Sequence, residues 1–243
     1  GLNFPGNADY KPEVTGKENI TPFELMPYIL GQCSSVSEAK SILANINIIA
    51  LPFSDTLPLS PLHWMIADRN SAIVVESVRE GLKVYENRVH VVANNPTFDM
   101  QMFSLNNCMS FSSNPPTNSF SPHLTLETYS RGMGALGLPG DLSSQSRFVR
   151  AAFTRLHSVS GASESESVNQ FFHILGAVSQ PRGSSDTGDG FEVTQYTSCC
   201  NTDKGIYYYT TYDNHQITAV HMHREKLDDR FLVRYPLVQG EQM

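Results

Sequence analysis

Residues 62–94, LHWMIADRNSAIVVESVREGLKVYENRVHVVAN, decide the fold class. From Leu62 the apolar residues recur at every second position or run on without a break, in LHWMIAD, SAIVVESV, LKVYEN and VHVVAN, parted by short turns such as Arg69-Asn70 and Glu80-Gly81. The spacing predicts four antiparallel strands. The last stops at Asn94-Asn95-Pro96, because proline has no N–H with which to continue a ladder. An asparagine at a strand end is ordinary turn chemistry, and it is also where a rigid sheet would present an amide to a site. For Asn94 both readings stand at this level.

Upstream, Thr21-Pro22-Phe23-Glu24 joins a capping box to a proline at the first helical position, and Phe23, Met26, Ile29 and Leu30 build an apolar face. Ser35-Val36-Ser37-Glu38 repeats the box ahead of Ala39, Ile42, Leu43 and Ile46, so two helices form a hairpin. Residues 51–61, LPFSDTLPLSP, then make a proline-rich loop that offers Phe53 and Leu57 either to the core or as the wall of an apolar ligand site.

Downstream, residues 97–130 are mixed, with a short helix at their start. Residues 131–156, RGMGALGLPGDLSSQSRFVRAAFTRL, begin as a glycine run and end as a helix. Pro139-Gly140-Asp141 is turn chemistry, Ser143 or Ser144 caps, and Phe148, Ala151, Ala152 and Leu156 share a face. Arg147 sits in the first turn, where the helix dipole disfavours a cation unless something negative faces it. A further helix, Glu166 to Val178, carries Val168, Phe171, Phe172 and Leu175 inward, and strands FEVTQYTSCC, IYYYTTY, QITAVHMH and FLVRYPL close the chain. This order is buried as a whole by an α+β arrangement, an αββα sandwich of two antiparallel sheets flanked by helical layers. The 243 residues suffice for one such domain, spanning 1–243.

A formal net charge of -7 and the lack of any Lys/Arg-rich run argue against nucleic acid or an anionic membrane surface as partner. No apolar run has bilayer length, and no signal peptide is visible. Cys33, Cys108, Cys199 and Cys200 are too few for a disulfide scaffold, and a bridge between the adjacent pair would be strained, so a reducing cytoplasm fits best. Position 1 is Gly, and GLNFPGN reads as an apolar strand end running into a Pro-Gly turn with nothing before it to pair with. The chain is therefore expected to begin part way through its domain and to lack the leading strands.

There is no GxSxG elbow, HExxH, GxGxxG or GxxxxGK[ST]. His221 and His223 lie two apart on one predicted strand face without a third ligand, and Tyr207, Tyr208 and Tyr209 suit sheet packing better than base stacking. Asn3, Asn94 and Arg147 remain, each at the boundary of an element and each able to act as a fixed hydrogen-bond donor of the kind an acyl-transfer site aims at a developing oxyanion. No attacking group stands among them.

GLNFPGNADY, NITPFELMPYILGQCSSV, LPLSPLHWMIADR, NNPTFD, YSRGMGALGLPGDLSSQSRFVRAAFT, QFFHILG, YTSCC and GIYYYTTYDNHQI together resemble the conjugated bile acid hydrolases, or choloylglycine hydrolases. These belong with the penicillin V acylases to the N-terminal-nucleophile superfamily. The resemblance covers nearly the whole chain. It implies the αββα fold, a homotetramer, and hydrolysis of the amide that joins a bile acid to glycine or taurine. An N-terminal cysteine thiolate attacks, its own α-amine serves as base, and no metal or other cofactor takes part.

By motif, the backbone N–H of Asn3 and the side-chain amide of Asn94 fall at the family's oxyanion hole, and Arg147 matches the arginine of its SRF motif. Phe53 and Leu57 fall on the loop that lines the steroid pocket. Asn3 also points to bile acid hydrolases rather than penicillin V acylases, which tend to carry tyrosine there. The sequence departs from the family pattern in opening without the cysteine nucleophile and the arginine and aspartate that follow it, and at Val89-His90 and Val92-Ala93 before the Asn-Asn-Pro. The four cysteines are internal, so none has a free α-amine, and this polypeptide alone is expected to be inactive. Two other functions compatible with the sequence are an amidase of the penicillin V or acyl-homoserine lactone type, and a truncated, non-enzymatic protein that keeps the apolar pocket for binding or interaction.

Overall fold

Every residue from Ala72 to Val78 is buried, and the computed structural model, which describes residues 1–241, shows why. The run is an inner strand of a four-stranded sheet with apolar clusters on both faces. The chain divides into two compact units, the first Gly1–Phe153 and the second beginning at Thr154. In the first unit the elements are β1 (Leu2–Asn3), β2 (Glu18–Ile20), α1 (Leu25–Gln32), α2 (Val36–Leu43), β3 (Ile46–Ile48), β4 (Leu62–Ala67), β5 (Ala72–Val78), β6 (Gly81–Glu86), α3 (Phe98–Ser104) and the greater part of α4 (Ser144–His157). The sheet order is β1-β4-β5-β6, antiparallel throughout.

Alternation along β5 sorts its side chains between two cores. Ile73 and Val75 join Trp64 of β4 and the inner faces of α1 and α2. Val74 faces the other way, to Phe98 of α3 and to Phe148, Val149 and Ala152 of α4. Burial on both faces turns what would be an alternating pattern into a continuous apolar run. Asp68, in the turn between β4 and β5, accepts from the Val36 N–H at 2.7 Å and so ties the start of α2 to the sheet. Those backbone donors, with Asn70 and Ser71 N–H, hold its carboxyl below the ordinary value.

Several expectations need correction. VHVVAN is not a strand: His90 takes φ +52°, a left-handed conformation that breaks an extended run, and Asn87 donates to the Val91 carbonyl at 3.0 Å inside a turn. The sheet's fourth strand is instead β1, with Leu2 opposite His63 and Asn3 opposite Leu62. The parallel pair β2 and β3 has no counterpart in the sequence reading, and Ile46 belongs to β3 rather than to the second helix. Helix α1 starts at Leu25 and buries Leu25 and Ile29, whereas Met26 and Leu30 face outward. Its Glu24 still accepts from the Thr21 N–H at 2.8 Å, closing half of the expected box one turn early. In α4, Leu156 is exposed and Val149 is buried in its place.

The glycine run preceding α4 has two distinct needs. Gly132 takes φ +81°, and Gly134 lies so close to the backbone that a Cβ would stand 1.9 Å from the Asn114 carbonyl oxygen. At the α4 start, the Asp141 carboxylate accepts from the Ser143 N–H at 3.0 Å and the Ser146 hydroxyl at 2.5 Å. Hydrogen bonds from Ser143 and Ser146 hold the Asp141 carboxyl down at about 2.

The second unit holds α5 (Glu164–Gly176) and the antiparallel sheet β7 (Tyr196–Asn201), β8 (Ile206–Thr211) and β9 (Asn214–His221) in that order. Helix α5 begins two residues before the sequence reading, at a full capping box between Ser163 and Glu166. It buries Val168, with Phe171 exposed. Glu164 accepts from Asn201, Lys204 and Tyr208, which fastens the helix start to the sheet. FLVRYPL forms no strand, because among the described residues no ladder partner lies beside it. Phe231 and Leu232 are more than four-fifths exposed. His223 falls in a 3₁₀ turn after β9, so the two histidines do not share a strand face.

Phe148, fully buried between α4 and β5, is expected to cost about 3–5 kcal/mol when cut to alanine, read as a shift in the urea unfolding midpoint at unchanged m. Asp141→Asn is expected to be less stable than the parent at pH 7. Because the folded value lies below the ordinary 3.8, this contribution is fully present above pH 3.8 and is lost as the pH falls through about 2. Unfolding curves of the two proteins are therefore expected to converge on acidification.

Candidate active site

The residues singled out by sequence at 3, 94 and 147 meet in one hydrogen-bonded chain. Asn94 Nδ2 donates to the Asn3 carbonyl at 2.8 Å, and Arg147 Nη2 donates to Asn94 Oδ1 at 2.9 Å. Arg147 Nε also donates to the Leu142 carbonyl at 3.0 Å, which fixes the guanidinium plane against the start of its own helix. The cation in the first turn thus faces carbonyl oxygens, which answers the unfavourable dipole locally.

This chain sets the orientation of the Asn94 amide. A guanidinium can only donate, and a carbonyl can only accept, so the amide has its oxygen toward Arg147 and its nitrogen toward Asn3. The flipped amide would set N–H against N–H and oxygen against oxygen. Donation from a charged group to Oδ1 also polarises the amide and strengthens its N–H groups as donors. One of the two Nδ2 hydrogens goes to Asn3. The second belongs to a side chain that is only half-buried.

The backbone of Asn3 is aimed by strand pairing. Phe4 N–H donates to the Pro61 carbonyl at 2.7 Å, which makes 4 and 61 a hydrogen-bonded pair. Antiparallel alternation then makes Asn3 and Leu62 a pair whose N–H and C=O groups point away from each other. Both outward directions are visible. The Asn3 carbonyl receives Asn94, and the Leu62 N–H donates to the Tyr10 hydroxyl at 2.7 Å. The Asn3 N–H therefore points to the side on which Asn94 lies.

Sequence reasoning missed the groups that hold these two segments. Asn95 Nδ2 donates to the Pro5 carbonyl at 2.7 Å, a second link between the same segments, and its N–H donates to Ser144 Oγ at 2.8 Å. Beneath them lie His63 and Glu76, opposite each other on β4 and β5, both 0 % exposed and 3.0 Å apart. The His63 ring stacks on Phe4 at 4.3 Å between centroids, and Glu76 accepts from the Phe98 N–H at 3.0 and 3.2 Å. A carboxylate inside the apolar run AIVVESV was the available signal, since a buried acid needs donors and so marks a built polar site.

Phe53 and Leu57 take no part in this chain. Both are exposed on the loop after β3, at 67 % and 54 %, outside both apolar clusters, which removes the reading that tucks them into the core. Reciprocal backbone hydrogen bonds between Ser54 and Leu57 shape the loop tip, and the Phe53 ring meets Phe23 edge-on at 5.8 Å. All four cysteines are unpaired thiols. Among the described residues no group of three or more His, Cys, Asp or Glu side chains is arranged to hold a metal ion, and no helix is long and apolar enough to cross a membrane.

Comparison with known proteins bears on the chain as a whole. The model of the linear amide C–N hydrolases, choloylglycine hydrolase family, matches residues 1–235. The chain is 58% identical to the bile salt hydrolase/transferase of Lactiplantibacillus plantarum over 238 residues, which are 98% of this chain and 74% of the relative. It superposes on a solved single-residue variant of the conjugated bile acid hydrolase from Clostridium perfringens with a TM-score of 0.90 at 39% identity, covering 100% of this chain and 75% of that one. Against penicillin V acylase from Agrobacterium tumefaciens the TM-score is 0.67 at 18% identity, with 89% and 61% of the two chains covered, a likeness of fold alone. A match that runs along nearly the whole chain in sequence and in fold means that the chain belongs to the choloylglycine hydrolase family of linear amide C–N hydrolases.

Proposed function

We propose that this protein hydrolyses the amide bond between a bile acid and its glycine or taurine, and that Asn3, Asn94 and Arg147 form the electrostatic half of that site. The observation that carries the reading is the chain Asn3 C=O, Asn94 amide, Arg147 guanidinium. It leaves an Asn3 N–H and an Asn94 N–H to converge on one oxygen. Attack on the substrate carbonyl forms a carbon–sulfur bond and moves the carbonyl electrons onto oxygen, where the two N–H groups receive them. Collapse expels the amine of glycine or taurine with a proton from the attacking side, and water then cleaves the thioester. Arg147 acts through Asn94, by fixing and polarising its amide.

The nucleophile in this scheme is an N-terminal cysteine thiolate. Cys33, Cys108, Cys199 and Cys200 are internal and cannot supply the α-amine that serves as its base. The exposed apolar side chains of Phe53 and Leu57 supply contact to the steroid nucleus, where each buried methylene contributes about 0.8 kcal/mol. Four free thiols suit a reducing cytoplasm, and the exposed apolar residues near the C-terminal end suit the burial that a homotetramer would bring.

The 243-residue polypeptide by itself is expected to release no glycine from glycocholate above a buffer blank. In the protein expressed from its whole gene, glycocholate is expected to be turned over in preference to penicillin V. The reverse preference would move the reading to the penicillin acylases. In that same protein Asn94→Ala is expected to lower kcat by roughly a hundredfold or more with little change in KM. Phe53→Ala is expected to do the opposite, raising KM severalfold at nearly constant kcat.

A further inference from the structure

Gln101 of α3 is 0 % exposed, and its side chain is spent on the segment that carries Asn94. Its Oε1 accepts from the Ala93 N–H at 3.2 Å, and its Nε2 donates to the Ala93 carbonyl at 3.1 Å and to the Pro96 carbonyl at 2.7 Å. The amide thus pairs with both backbone groups of residue 93 as a neighbouring strand would, and grips the chain again at residue 96. Asn94 lies between the two grips. Among the described residues no strand pairs with this segment, so its backbone groups depend on side chains for partners.

We infer that Gln101 is a positioning residue for the amide hydrolysis, holding the 93–96 turn so that the Asn94 side chain meets both Asn3 and Arg147. The inference rests on the reading of Asn94 as an oxyanion donor. A displacement of about 1 Å in the turn would unmake the 2.8 and 2.9 Å contacts on either side of the Asn94 amide, since hydrogen bonds weaken steeply beyond their normal range. The Gln101 amide is bonded to backbone groups, not to the side chains of Asn94 or Arg147 or to the exposed loop at Phe53. Its loss should therefore be felt in the chemical step rather than in steroid binding.

The test compares the parent with Gln101→Met, which keeps the volume and removes all three hydrogen bonds, in the protein expressed from its whole gene. On glycocholate, kcat is expected to fall at least about tenfold with KM within about twofold, and the Asn94 side-chain amide resonances of asparagine-¹⁵N-labelled protein are expected to shift. Should Gln101→Met fail to fold, the isosteric Gln101→Glu serves. Its protonated form keeps one donor and its ionised form sets an oxygen against two carbonyls, so its kcat is expected to drop as the pH rises. A kcat within about twofold of the parent, a rise in KM alone, unmoved Asn94 resonances, or a pH profile of Gln101→Glu matching the parent's would each overturn the inference. Asn94→Ala run in parallel separates the two readings. If Asn94→Ala keeps the parent kcat, the oxyanion assignment fails and the inference with it; if Asn94→Ala loses kcat while Gln101→Met keeps it, the oxyanion assignment stands and the positioning role alone fails.

Discussion

The site depends on one orientation, that of the Asn94 amide. An asparagine side chain has a donor end and an acceptor end of nearly equal shape, and nothing in its own sterics prefers one placement. Here a group that can only donate and a group that can only accept stand at its two ends, so each contact excludes the same flipped state. Such a constraint is set at folding, and in the proposed reaction it would need no rearrangement when charge develops on a substrate oxygen, the condition under which a hydrogen bond contributes most to a transition state. It also explains why an arginine sits where a helix start should disfavour it: its partners are carbonyl oxygens at its own helix start and on the Asn94 segment.

Holding two loops at a fixed distance requires a frame that does not move, and in this unit the frame is polar as well as apolar. Glu76 points from β5, meets His63 on the neighbouring inner strand β4, and receives the Phe98 N–H. His63 in turn stacks on Phe4, the residue after Asn3. A line of contacts therefore passes beneath the site from the segment of Asn3 to the segment of Asn94. Buried polar groups of this sort gain little net stability, because their desolvation offsets most of the attraction, yet leaving one without its partner costs several kcal/mol. Their value is directional. Apolar packing of Val74, Phe98 and Phe148 fills the same space and would tolerate small slips that a three-point hydrogen-bond set does not.

The family assignment and the geometry bear on different questions. Identity along nearly the whole chain establishes the linear amide C–N hydrolase family, and the superposition on a conjugated bile acid hydrolase establishes the fold. Neither aims a particular N–H. That comes from the register of β1 on β4, where a slip of one residue would turn the Asn3 N–H into the ladder and away from Asn94.

Sequence by itself determined the elements whose signals are local. Ser35 caps a helix because its hydroxyl accepts from the N–H three residues on, and β4, β5 and β6 follow from period-two and continuous apolar runs bounded by turns. It also named Asn3, Asn94 and Arg147 through family motifs. What it misjudged was non-local. VHVVAN has strand composition, but the left-handed His90 and the side chains of Asn87 and Gln101 take its backbone groups instead. FLVRYPL has the composition and lacks a neighbour among the described residues, and a strand exists only by pairing. The tertiary structure alone decided that residues 91 and 144 positions apart along the chain from Asn3 share one hydrogen-bonded chain with it, because contact between distant residues is fixed by sheet register and two-sided packing, neither of which a single stretch of sequence encodes.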